Sequence, residues 1–193
     1  MTAAVLLFAV AAPLPAQSAP DRTRLGLAAE AFLPGETRTR NMWIFALSLE
    51  IERRLAAGFR VRAALGPRVI RGWRGTRFCI RDMEGQRVCG GGTDADTGGF
   101  GTSALLRWRS PGWGPVAPFL EGGAGALVTA DPFPPDGTVW NLTYRYGAGL
   151  DFALSRSVAL SIAFRHIHVS NAQGRVPENP AYNGNGLVLS LGW

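Results

Sequence analysis

The sequence predicts an all-β fold, an eight-stranded antiparallel transmembrane β-barrel of the bacterial outer membrane, and three observations predict it. Apolar and polar residues alternate with a period of two through about eight segments, many of them roughly 9 to 13 residues long, which is the length a tilted strand needs to cross a bilayer. The connections alternate in length, short at 55–58, 110–115 and 155–156, long at 32–41, 72–98, 130–137 and 172–184. In outer-membrane barrels short turns face the periplasm and long loops face outside. Tryptophans fall at the ends of the segments, Trp43 and Trp140 at the outer rim and Trp108, Trp113 and Trp193 at the periplasmic one, as two interfacial girdles.

The chain opens with an apolar run at 2–12, followed by Pro13, Leu14, Pro15 and the small-residue segment Ala16-Gln17-Ser18-Ala19. This reads as a secretory signal over residues 1–18, leaving 19–193 as a single barrel domain. Nowhere else does an apolar run approach the roughly 20 residues of a membrane helix, so a membrane location requires strands. The 20 basic residues, all arginine, exceed the 14 acidic ones. Arginine forks bind carboxylates and phosphates bidentately, which suits interior ion pairs and anionic headgroups; codon bias is the alternative source of the preference. Cys79 and Cys89 share one Gly-rich polar segment, and in an exported chain they are expected to close a local disulfide; two thiols alone make no metal site.

In order along the chain, Leu25, Leu27, Ala29 and Ala31 alternate with Gly26, Ala28 and Glu30 in a first strand. From Trp43 the odd positions Phe45, Leu47, Leu49 and Ile51 are apolar, whereas Ser48, Glu50 and Glu52 are polar. After a tight connection at 56–58, Phe59, Val61, Ala63 and Leu65 oppose Arg60 and Arg62, so the acidic side of one strand can face the basic side of the next. The segment 72–98 is the longest irregular stretch and carries Arg74, Arg77, Arg81 and Arg87, with Arg71 just before it. They fit a solvated face or a phosphate clamp equally well. A fourth strand sets Phe100, Thr102, Ala104, Leu106 and Trp108 against Ser103 and Arg107. A Gly-rich fifth strand at 118–128 carries Glu121 on its small-residue face. The sixth has the cleanest alternation, with Trp140, Leu142, Tyr144, Tyr146, Leu150 and Phe152 opposite Asn141, Thr143, Arg145 and Asp151. The last strand sets Leu187, Leu189, Leu191 and Trp193 against Ser190.

A narrow eight-strand barrel has an interior that side chains fill, which suits the small and charged face bearing Glu30, Glu50, Glu52, Arg60, Arg62, Arg107, Glu121, Arg145, Asp151 and Arg165. The bulky apolar face is then turned to lipid. On the seventh strand, 158–171, that lipid-facing side runs Val158, Leu160, Ile162, Phe164, His166, His168, Ser170. An imidazole two residues from a hydroxyl on one face is the pairing from which a serine nucleophile is built. Polar groups on a lipid-facing surface are costly unless they sit at the interface or perform chemistry. Counting back along the last strand places Asn185 and Asn183 on the same outward side. His166 is expected to be an interfacial side chain.

The run Arg165-His166-Ile167-His168-Val169-Ser170-Asn171-Ala172, followed by Asn179-Pro180 and a short final strand, resembles the outer-membrane lipid A 3-O-deacylases, whose signature is R-x-x-H-x-S-N-A. The resemblance is strongest over residues 147–193 and extends weakly to Phe119–Gly125. It implies a lipopolysaccharide-modifying esterase without metal or cofactor, acting on lipid A in the outer membrane and binding no nucleic acid. By motif, Ser170 is the nucleophile and His168 the base, Asn179 and the Gln173-Gly174 backbone supply oxyanion donors, and Asn171 supports them. The sequence departs from the pattern where the family carries a glutamate that orients the histidine: the nearest match is Asn183, with Glu178 as an alternative acid, and the usual glycine after S-N-A is Gln173. The competing expectations are a non-enzymatic envelope or adhesion barrel, a catalytically impaired member of the family, and an acyltransferase.

Overall fold

The computed structural model describes residues 23–35, 41–75, 78–111, 113–171 and 180–193. Eight long strands make the barrel: β1 (Arg24–Pro34), β2 (Asn41–Ala56), β3 (Phe59–Arg74), β7 (Thr97–Arg109), β8 (Val116–Phe133), β9 (Thr138–Ala153), β10 (Ala159–Ser170) and β11 (Tyr182–Gly192). Between β3 and β7 lie a small hairpin, β4 (Phe78–Arg81) and β5 (Arg87–Gly90), and the two-residue β6 (Thr93–Asp94), which pairs with the end of β3. Each long strand pairs antiparallel with its sequence neighbour, and β1 pairs with β11, so the sheet closes with no free edge. Closure satisfies every backbone ladder inside the protein, which is the condition for a sheet to live in hydrocarbon. The strands hold 11 to 18 residues, enough for a tilted crossing.

Burial follows the expected parity. Leu27, Leu47, Leu49, Leu120, Phe164, Leu187 and Leu189 stand exposed on the outside. Glu30, Glu50, Glu52, Arg62, Arg107, Glu121, Arg145, Asp151 and Arg165 are buried in the lumen. There they form one linked network. Arg165 bonds Glu30 at 2.7 Å and Glu121 at 2.6 Å; Arg107 bonds Glu121 at 2.8 Å and Asp151 at 3.0 Å; Arg145 bonds Glu30 at 3.0 Å. Arg62 bridges Glu50 and Glu52, and Arg60 joins Glu52, so the neighbouring acidic and basic faces of β2 and β3 do meet.

The structure differs from the sequence reading at the long-loop end. Strand β3 runs on to Arg74, β8 runs on to Phe133 so that the connection to β9 shrinks to a turn at 134–137, and β11 begins at Tyr182. Near this end the inward positions become apolar. Phe32, Met42, Ile44, Ile70, Leu127, Ile167, Val169 and Tyr182 pack with Phe133 as a plug in the outer mouth of the lumen. Both faces are then apolar, and the period-two contrast that marks a strand fades. The segment 72–98 also carries more order than its composition suggests. Cys79 and Cys89 are bonded to each other across the β4–β5 pair.

Candidate active site

The outward polar cluster sits at the long-loop ends of β9, β10 and β11. The tight turn after β9 sets the register with β10, pairing His168 with Tyr144 and His166 with Tyr146. On the other flank, β11 pairs His168 with Asn183 and His166 with Asn185. Each histidine thus lies between a tyrosine and an asparagine that point the same way.

These registers become contacts. His168 Nδ1 lies 2.7 Å from Asn183 Oδ1, and its ring stacks on Tyr144 with centroids 4.5 Å apart and planes 17° from parallel. One rung deeper, His166 Nδ1 lies 2.9 Å from Asn185 Oδ1 and its ring stacks on Tyr146 at 4.8 Å. An amide oxygen can only accept, so Nδ1 of His168 carries a proton, and in the neutral ring the lone pair is then on Nε2. That is the tautomer a general base needs.

Ser170 ends β10 on the same face, half-exposed like His168, and about 7 Å further along the strand in backbone terms. The luminal side of β10 flanking them is held by Ile167 and Val169, both buried in the apolar plug, so the backbone carrying the two polar side chains is packed from behind. Asn171 turns the other way: it is buried, and among the described residues neither its Oδ1 nor its Nδ2 has a hydrogen-bond partner. Gln173, Gly174, Glu178 and Asn179 lie outside the described residues.

The structure therefore brings His168 and Asn183 into direct contact and sets Ser170 beside them on the lipid-facing side. Tyr144 and Tyr146 were not singled out from the sequence. The signal was present, since both lie on the outward face of β9, and counting back from the turn at 154–158 pairs them with the two histidines.

The family model for lipid A 3-O-deacylase (PagL) matches residues 57–191. Among solved structures, the chain is similar to that of the outer membrane enzyme PagL, with a TM-score of 0.58 and 19% identity over 86% of this chain and 97% of that one. It is also similar to Neisserial surface protein A (NspA), with a TM-score of 0.56 and 11% identity over 88% of this chain and 94% of that one. At such identities the likeness is one of fold. No curated protein sequence matches the chain. The family match spans most of the sequence and takes in both histidines, Ser170 and Asn183, and the chain therefore belongs to the lipid A 3-O-deacylase (PagL) family.

Proposed function

We propose that this protein is an outer-membrane esterase that hydrolyses the 3-O-linked acyl chain of lipid A, with Ser170 as nucleophile, His168 as general base and Asn183 as the group that orients it. The observation that carries the reading is the hydrogen bond between His168 Nδ1 and Asn183 Oδ1, made on the face that lipid touches and next to a hydroxyl. A soluble hydrolase would have to extract its substrate, whereas here the ester comes to the site by lateral diffusion in the outer leaflet.

The chemistry runs in two halves. Nε2 of His168 takes the proton from Ser170 Oγ as the oxygen adds to the ester carbonyl. The tetrahedral intermediate collapses, the bond to the sugar 3-oxygen breaks, and the imidazolium returns its proton to that oxygen. Water then attacks the acyl-serine with His168 again as base and releases the fatty acid. Donors for the oxyanion are proposed at Asn179 and the Gln173-Gly174 backbone, with Asn171 supporting that turn; losing one such donor costs about 10² to 10³ in kcat. Glu178 stands near Asn183 in sequence and is the alternative acid. Residues 1–18 are proposed as the export leader, which the mass of the membrane-inserted protein tests.

An uncharged third member orients the imidazole without neutralising it, so the reading includes a slow turnover. The test is expression in a Gram-negative host without its own 3-O-deacylase, followed by mass spectrometry of its lipid A. The expected result is loss of one 3-O-linked chain with the native protein and none with Ser170→Ala, while both show the heat-modifiable gel mobility of an inserted barrel. Unchanged lipid A beside a correctly inserted native barrel would leave the non-enzymatic reading, and a gained chain would indicate an acyltransferase.

A further inference from the structure

We propose that Tyr144 is a positioning residue for His168, and that the face of its ring takes over part of the charge stabilisation that a carboxylate provides in other serine hydrolases. The inference rests on the deacylase reading above. His168 is held from both flanks: Asn183 on β11 fixes Nδ1 at 2.7 Å, and Tyr144 on β9 covers the ring face at 4.5 Å and 17°. Asn183 determines how the ring is turned and Tyr144 the plane in which it lies. Together they leave Nε2 as the ring nitrogen that Asn183 does not engage.

The imidazole becomes a cation when it takes the proton of Ser170. The amide of Asn183 has no charge to meet it. Aromatic faces carry negative electrostatic potential and attract cations, more strongly where water is scarce. Tyr144 is 47% exposed, on the surface that lipid covers. The titratable side chains that face His168 from the strands around it are Tyr144 and Tyr146 on β9 and His166 on β10. The nearby Arg145 and Arg165 point into the lumen, tied to Glu30 and Glu121. Among the described residues, no carboxylate on β9, β10 or β11 shares the outward side with His168.

The rung below supplies an internal control. Tyr146, His166 and Asn185 repeat the arrangement, but the residue two positions on from His166 is His168, not a hydroxyl. The same stack without a nucleophile has no imidazolium step to serve.

The test uses the full barrel in detergent micelles containing lipid A, with kcat and KM measured separately. Heat-modifiable mobility checks the fold, and proton NMR of the imidazole C–H signals reads the stack through its ring-current shift. Tyr144→Leu is expected to lower kcat about 5- to 30-fold with KM within twofold, and to remove the upfield shift of the His168 signals. Tyr144→Phe, which keeps the face and loses only the hydroxyl, is expected to retain both, and Tyr146→Leu to retain kcat. An active protein whose kcat survives Tyr144→Leu, or in which only KM changes, overturns the role of Tyr144 and leaves the deacylase reading standing. A native protein with shifted His168 signals and no deacylation overturns that reading and reduces the stack to a structural contact.

Discussion

In the proposed triad, Asn183 Oδ1 lies 2.7 Å from His168 Nδ1 where a carboxylate oxygen would act, and it differs from one in charge far more than in position. Charge-assisted hydrogen bonds are roughly twice as strong as neutral ones, and a carboxylate at this place gains most once the imidazole is protonated. Asn183→Asp keeps the geometry and adds the charge. It is expected to raise kcat about tenfold with little change in KM, and Asn183→Glu to act in the same direction with an extra methylene to accommodate. A fall in kcat, measured on lipid A in micelles, would mean that Asn183 is not the third member. The residues of this pair were legible in the sequence because strand parity alone puts 166, 168, 170, 183 and 185 on one side. Their tyrosine partners were harder to read, because which residue lies beside His168 depends on the β9–β10 register, set by a turn at 154–158 that the sequence reads as 155–156, and an outward tyrosine in a barrel ordinarily belongs to the interfacial belt.

At the scale of elements, the sequence pattern succeeded where one face was polar and failed where neither was. The middle of most of the long strands alternates between bulky apolar side chains outside and charged or small polar ones inside. Toward the outer mouth Met42, Ile44, Ile70, Leu127 and Val169 replace the charges, so the strand continues while its signature does not. The β4–β5 hairpin presents the reverse case, a stretch whose glycines and arginines resemble a plain loop although the Cys79–Cys89 bond and a short ladder order it. Its side chains are largely exposed: Ile80 at 61% and Met83 at 102% touch little of the barrel. A disulfide stabilises mainly by restricting the loop it closes, and this one spans a sequence separation of 10. Replacing both cysteines by serine is therefore expected to leave the unfolding midpoint of the barrel in urea unchanged, while protease cuts appear between residues 79 and 89. A large drop in that midpoint would show that the hairpin braces the barrel.

For the molecule as a whole, the surrounding solvent sets the energetics. Lipid tails are as apolar as the leucines facing them, so the outer surface contributes little drive toward one particular closed shape, and that task falls to the backbone ladders and the lumen. The luminal network touches each of the eight long strands. Glu30 comes from β1, Glu50 and Glu52 from β2, Arg60 and Arg62 from β3, Arg107 from β7, Glu121 from β8, Arg145 and Asp151 from β9 and Arg165 from β10, and Ser190 of β11 joins by donating its hydroxyl to Glu50. Glu121 is the central link, since it alone accepts from both Arg107 and Arg165 and its side chain has no exposed surface. Removing one partner of a buried ion pair leaves the others charged and unmatched, at a cost of about 3–5 kcal/mol. Glu121→Gln, nearly equal in volume, is thus expected to lower the stability of the inserted barrel by about that amount in urea titrations of vesicle-embedded protein. Its kcat on lipid A should stay near that of the native protein under conditions where both are folded, because His168 and Ser170 stand on the opposite face of β10 from Arg165. Native stability in Glu121→Gln would show that the ladders alone hold the barrel closed. A lost kcat with stability intact would show instead that the lumen sets the geometry of the lipid-facing site through β10.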